Sequence, residues 1–305
     1  MAAKKKKGLD TIGFIETLKG KDLDIQNLDE VLARFKEDAE KQEASAQAIA
    51  RARGEIAERL IIWYLYTAAR KKLDPLAFNQ LLWVKLPSSK DEGASKFLSL
   101  LQVPEESEIT SLLFKDNILK RIKFPSPDLV LIRKPSTPSA EQPSLFTNHQ
   151  DENGDSAGES PNAVIDKLMK NRESLKVAAT EIIAVFSIKT SYRPDRRYQL
   201  LYEASMLQAL ALLLRNANPV PYFSIITTDE TDDDEEEKNE TDSDLSRFIG
   251  PHHLACLACW IHNQNKSKEF LENYINGLKL IEGTFSITSM ANAETFIENY
   301  IKGLI

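Results

Sequence analysis

The chain has 305 residues, 42% of them hydrophobic, enough to bury a sizeable core in one large domain or in one domain with a helical annex. No run of about 18 apolar residues occurs, which argues against a membrane span, and two cysteines point to a reducing compartment, the cytoplasm, without structural disulfides. The net charge of −7 opposes a polyanionic partner only until its distribution is read: residues 229–244 hold eleven acids against one lysine, and residues 151–159 hold four more, so the rest of the chain is positive by seven. A basic body with acidic loops can bind nucleic acid, the loops weakening it by a repulsion that salt screens.

Taken in chain order, residues 1–28 read as a flexible basic N-terminus. The opening Met1-Ala2-Ala3-Lys4-Lys5-Lys6-Lys7 lacks the apolar core and cleavage site of a secretory signal. Residues 29–123 read as a helical N-terminal region. Within it, 29–72 are helix-rich, 42–53 combine alanine with charge, and the apolar face strengthens from Ile56. Residues 60–69, too short to span a membrane and flanked by Arg59 and Arg70, predict a buried helix that Asp74-Pro75 ends. Residues 76–122 read as short helices and loops, with Lys115, Lys120, Arg121 and Lys123 as a basic flank.

Ser126-Pro127-Asp128 leads into the apolar run Leu129 to Ile132, a short strand whose proline stands at its start, where no ladder donor is needed. Residues 135–162 are rich in proline, serine, asparagine and acids, and predict a disordered insertion. Long surface insertions add little closure entropy, so the strands on either side can still pair. Residues 164–178 predict a helix. A second strand over 182–190 places Ser187 and Lys189 on one face and Phe186 and Ile188 on the other. Asp195 then offers a helix N-cap, and residues 197–215 predict a helix with Glu203 about two turns in, roughly 10 Å along its axis. Residues 221–228 read as a third core strand, giving a β, β, α, β order and a core over 124–228. Residues 229–244 predict an acidic disordered loop, and 245–305 a helical C-terminal region. No solenoid repeat is present.

A lysine rarely ends a buried apolar run without a task. Asp128 at the mouth of one strand and Glu203 on a helix folding back against the other can both turn toward Lys189. Two carboxylates able to hold a hard divalent cation, beside an ammonium that can orient water or neutralise phosphate, suit metal-assisted phosphodiester hydrolysis.

These residues resemble the PD-(D/E)xK nuclease superfamily, and more narrowly type II restriction endonucleases. The resemblance implies a restriction-endonuclease-like α/β (α+β) core: a central mixed β-sheet flanked by helices, with helical N- and C-terminal regions. The position two before the lysine is ordinarily acidic, and here it is Ser187. A variant of the superfamily reads Ser-x-Lys and draws the missing acid from the following helix, where Glu203 stands. In that variant a further acid comes from an N-terminal helix, which makes Glu55 and Glu58 candidates beside the plainer reading of a solvated helix face. The same group carries an Arg-x-Asp-Arg turn that reads a C-C/G-G step, matched by Arg193, Asp195 and Arg196. The chemistry suits, since arginine grips guanine O6 and N7 with two bonds and a carboxylate accepts from cytosine N4. The stretch 187–199 is most similar to the Bpu-ten-I family, whose enzymes use two different subunits to cut an asymmetric site. The close resemblance covers about residues 125–205.

What it implies is a Mg²⁺-dependent endonuclease acting on double-stranded DNA. Asp128 and Glu203 would bind the metal, Lys189 and Ser187 would complete the catalytic set, and Arg193, Asp195 and Arg196 would contact DNA. A second, non-identical nuclease subunit and a cognate methyltransferase are the implied partners. Two other readings remain open on the sequence: a nuclease of the same fold that recognises DNA structure in repair or recombination, and a DNA-binding subunit whose centre has degenerated at Ser187. Each residue also has a plainer reading: a strand end reaching solvent for Lys189, a Pro-Asp turn for Asp128, a surface glutamate for Glu203, and a helix cap with phosphate-contacting arginines for the rest. Only the combination is specific. The cluster His252, His253, Cys256, Cys259 and His262 has metal-ligand residue types, but its surroundings describe a buried helix in which cysteines pack as small hydrophobes. Trp63, Trp83 and Trp260 read as core.

Overall fold

The computed structural model describes residues 9–18, 23, 27–87, 97, 100–102, 127–134, 159–172, 175–189, 203–204, 207, 220–226 and 283–305. In chain order these include α1 (Thr11–Glu16), α2 (Leu28–Lys41), α3 (Ala46–Lys72), α4 (Pro75–Asn79), β1 (Leu81–Lys85), β2 (Leu129–Arg133), α5 (Pro161–Lys170), β3 (Ile182–Lys189), β4 (Tyr222–Ile226), β5 (Gly283–Ser286) and α6 (Met290–Phe296), which runs on as a π turn over Ile297–Ile301.

Helix α3 is the spine. Ser45 caps it by accepting from the Ala48 amide, and Arg70, Lys71 and Lys72 fill its last turn, where cations suit the helix dipole. Every residue from Leu60 to Tyr66 is buried, so its middle is apolar all round, as a helix sandwiched between layers must be. Helices α2, α5 and α6 pack on it. Each of α4 and α5 begins at a capping side chain followed by proline, Asp74-Pro75 and Ser160-Pro161, the arrangement that spares an orphan amide.

The strands form one sheet in the order β1-β2-β3-β4-β5. Strands β1, β2 and β3 are antiparallel neighbours, with Leu129 opposite Phe186. Strands β3, β4 and β5 run parallel, with Ser187 beside Ser224 and Lys189 beside Ile226. The seven residues Ile182 to Ile188 are all buried, which explains why β3 reads as an apolar run broken only by Ser187: both of its faces are covered. One face carries Trp83, Phe186 and Phe223, stacked at centroid distances of 6.0 and 5.6 Å, in a core shared with α3 and α6. The other carries Val84, Val130, Val185 and Tyr222, covered by Phe97, Leu100 and Leu207.

This is the mixed sheet with flanking helices that the resemblance implies, and four details of the sequence reading differ. Residues 81–85, expected among loops and short helices, form a strand; its four apolar residues before Lys85 are too few to show a period that distinguishes strand from helix. The helix expected over 164–178 ends at Lys170; Val177 instead bridges Leu101. The sheet has two strands from outside 124–228, β1 and β5, the latter within the stretch read as helical. Part of the stretch read as a flexible N-terminus is ordered, since α1 buries Ile15 completely. Residues 1–8, the basic flank at 115–123, most of the insertion at 135–158, the acidic loop, Trp260 and the histidine-cysteine cluster at 252–262 lie outside the described residues. No helix among the described residues is long and apolar enough to cross a membrane.

Candidate active site

The site forms at one end of the sheet, where β1 stops, β2 starts and β3 stops. Asp128 is fixed there by its backbone: its amide donates to Phe186 O at 3.0 Å and its carbonyl accepts from Leu86 N at 3.1 Å. Proline at 127 cannot donate to the ladder. The Asp128 carboxylate prolongs the pairing instead, with Oδ2 accepting from the Ile188 amide at 2.6 Å. That bond places the acid one residue from Lys189.

Lys189 Nζ lies 3.9 Å from Asp128 Oδ2 and 3.7 Å from Glu203 Oε1. Its side chain is 12% exposed, so the ammonium stands between two carboxylates in a sheltered position, where charge interactions are stronger than in water. Glu203, itself helical and 5% exposed, is held on its other oxygen. Ser187 Oγ donates to Oε2 at 2.9 Å and Tyr222 OH donates to the same atom at 2.8 Å. The Tyr222 phenol is pushed well above its ordinary pKa, first by burial and then by the negative charge of Glu203, and therefore stays a neutral donor.

A second acid-lysine pair abuts the first. Glu58 on α3 contacts Lys85, the last residue of β1, and Lys85 also donates to Leu86 O at 2.8 Å. Burial, then the charge of Asp128, push the Glu58 carboxyl above its ordinary pKa, while Lys85 and Lys189 pull it down. Glu58 is thus within electrostatic reach of both Asp128 and Lys189. Glu55 is not part of this group: it is 46% exposed and pairs with Arg59 along the helix.

The structure brings Asp128, Ser187, Lys189 and Glu203 together and adds Glu58, Lys85 and Tyr222. Lys85 had a signal in the sequence, since Leu-Leu-Trp-Val-Lys repeats on a smaller scale the apolar run ending in lysine that marks β3. Tyr222 had none, because its partner is set by the parallel register that aligns it with Val185. Arg193, Asp195 and Arg196 lie outside the described residues.

Three carboxylates and two ammonium groups give a cluster of net −1 whose acceptors are all hard oxygens, the donor type that Mg²⁺ prefers. Among the described residues no three acidic, histidine or cysteine side chains form a ready-made metal cage. Mg²⁺ does not need one, since it keeps several waters and binds through one or two carboxylates together with substrate phosphate. The donor set therefore fits a divalent cation.

Comparison with known proteins bears on the family and the fold. The family model described as Cfr10I/Bse634I restriction endonuclease matches residues 18–244. Among solved structures, the type IIF restriction endonuclease Bse634I with cognate DNA aligns with a TM-score of 0.59 at 18% identity, covering 99% of this chain and 96% of its own. A second structure, described as Bse634I restriction endonuclease, aligns at 0.51 and 19% identity, covering 93% and 86%. No curated protein sequence matches the chain.

Proposed function

The chain belongs to the Cfr10I/Bse634I restriction endonuclease family and is a site-specific endonuclease; on that premise we propose that it is a Mg²⁺-dependent type II enzyme cutting double-stranded DNA at a site with a C-C/G-G element. The observation that carries the reading is the convergence of Asp128, Lys189 and Glu203, three residues spread over 76 positions of sequence, at one end of the sheet.

Restriction endonucleases generally use a divalent cation. Here Asp128 and Glu203 would hold it, with Glu58 as a further oxygen donor, and when bound it supplies positive charge against phosphate and lowers the pKa of water. Lys189 donates to the scissile phosphate and orients the attacking water, countering the charge that develops on phosphorus oxygens. Water attacks in line, the bond to the 3′ oxygen breaks, and a 5′-phosphate remains. Ser187 occupies the position where an acid ordinarily stands and gives its hydroxyl to Glu203. That bond argues for a relocated acid rather than a degenerate centre.

Arg193, Asp195 and Arg196 would read the C-C/G-G step by bonds to guanine and cytosine edges. One chain with one such site cuts one strand. A second subunit must supply the other cut, and the likeness of residues 187–199 to the Bpu-ten-I family favours a non-identical one, encoded with a cognate methyltransferase.

The test is incubation of wild type and Glu203→Ala with unmethylated genomic DNA in Mg²⁺, followed by sequencing of the fragment ends. Ends sharing a C-C/G-G element, made by wild type alone, support the proposal. Equal cleavage by the two proteins removes Glu203 from the mechanism, and no cleavage even with a second subunit present leaves a DNA-binding role. In the same assay Arg193→Ala or Arg196→Ala should relax selection at one base step; uniform loss across sequences would favour recognition of DNA structure.

A further inference from the structure

Tyr222 has no assigned role, yet its hydroxyl is buried inside the acid cluster. We propose that Tyr222 is a positioning residue for Glu203, clamping Oε2 so that Oε1 faces Lys189 and the reacting phosphate. The inference rests on the active-site reading above and names the device that makes a helix-borne acid usable.

An acid on β3 itself, at position 187, would be oriented by the strand two residues from Lys189. Glu203 reaches the same place from a helix, at the end of a side chain with three rotatable bonds, and needs external restraint to hold one orientation. Two neutral donors supply it. Ser187 Oγ and Tyr222 OH both donate to Oε2, at 2.9 and 2.8 Å, while Lys189 Nζ lies 3.7 Å from Oε1. The donors come from adjacent parallel strands: Tyr222 pairs with Val185, two residues before Ser187, so all three share one face. Their convergence on one oxygen fixes the plane of the carboxylate. Phe97, Val185 and Leu207 line a narrow cleft with Tyr222 and Glu203, an apolar wall whose side chains carry no hydrogen-bond donor. Both donors are buried, Ser187 completely and Tyr222 to 1% exposure, so each is held in place by packing and neither can turn to solvent instead.

The test uses the full chain with Tyr222→Phe, which keeps the ring and removes one atom, together with Ser187→Ala and the double variant. Circular dichroism and the thermal midpoint verify folding. The expected result for Tyr222→Phe is a half-saturating Mg²⁺ concentration raised about tenfold and kcat lowered about tenfold with KM for DNA unchanged, the scale of one hydrogen bond to a charged acceptor. The double variant should lose more than the two single effects multiplied, because either donor alone still restrains Oε2. A crystal structure of the double variant should show Glu203 Oε1 turned away from Lys189, a readout independent of turnover. Unchanged metal dependence, or a raised KM with metal dependence intact, overturns the proposal, as does a crystal structure with Glu203 unmoved. Full cleavage by Glu203→Gln would instead overturn the active-site reading, and an inactive wild type leaves the crystallographic result to decide the clamp.

Discussion

Two acid-lysine pairs flank Asp128, and they look alike until their surroundings are compared. Each joins a lysine ending an apolar strand to a glutamate on a neighbouring helix, Lys85 with Glu58 and Lys189 with Glu203. Lys85 is committed: its ammonium contacts one carboxylate directly and donates to the Leu86 carbonyl. Lys189 is shared, 3.9 Å from the Asp128 carboxylate and 3.7 Å from that of Glu203. A tightly satisfied cation braces structure, whereas one poised between two acids can redirect its protons to a phosphate with little cost. On the proposed function, the same sequence pattern yields a brace in one strand and a reactive group in the next.

The largest effect that would sharpen this contrast is Lys189→Met. We expect cleavage to fall about a thousandfold or more, the scale of losing a group that stabilises transition-state charge, while DNA binding measured in Ca²⁺ persists. Retained cleavage would break the distinction outright. Glu58→Gln comes next, with an expected drop of about 10- to 100-fold in cleavage, the range for losing an outlying metal partner.

The same substitution has a pH signature in metal-free buffer. Because the folded protein holds the Glu58 carboxyl above its ordinary value of 4.5, the folded state binds that proton more tightly than the unfolded chain. Its contribution to stability is fully present below pH 4.5 and is lost as pH rises through the raised pKa. Wild type should therefore lose stability relative to Glu58→Gln between pH 4.5 and neutrality, as followed by urea unfolding across that range. A difference that does not vary with pH would mean the carboxyl is not perturbed.

Lys85→Met should act chiefly on stability. Leaving Glu58 without its direct partner, with that glutamate 28% exposed, should cost about 1–3 kcal/mol, less than the loss of a fully buried pair. The thermal midpoint should fall further than for Lys189→Met. The smallest effect belongs to Glu55→Gln, whose exposed pairing with Arg59 should be worth under about 0.5 kcal/mol, with cleavage rates equal to wild type. A loss of cleavage there would transfer the helix acid from Glu58 to Glu55.

Much of the fold was legible because its signals are local. The apolar runs at 129–132 and 182–188 and the turn chemistry of Asp74-Pro75 each depend on a few neighbours in sequence. The strand at 81–85 was hidden because four apolar residues fit a buried helix as well as a strand. Strand β5 was hidden because Gly283-Thr284-Phe285-Ser286 has little apolar content, and its pairing with β4 makes it a strand. Within the site, the family resemblance carried by Ser187, Lys189 and Glu203 pointed to one centre, yet nothing local chose between Glu55 and Glu58, which sit three residues apart on α3. Packing made that choice, by turning Glu58 toward the sheet end and Glu55 toward Arg59.

By itself the sequence determined which side chains could do the chemistry: a lysine closing a buried strand, an aspartate behind a proline, and a glutamate one helix later, because residue type and periodicity fix local structure and face. The tertiary structure alone decided which of them meet, since Lys85 and Tyr222 enter through strand pairing between distant segments. Long-range register and burial set those contacts, and neither is written in any short stretch of chain.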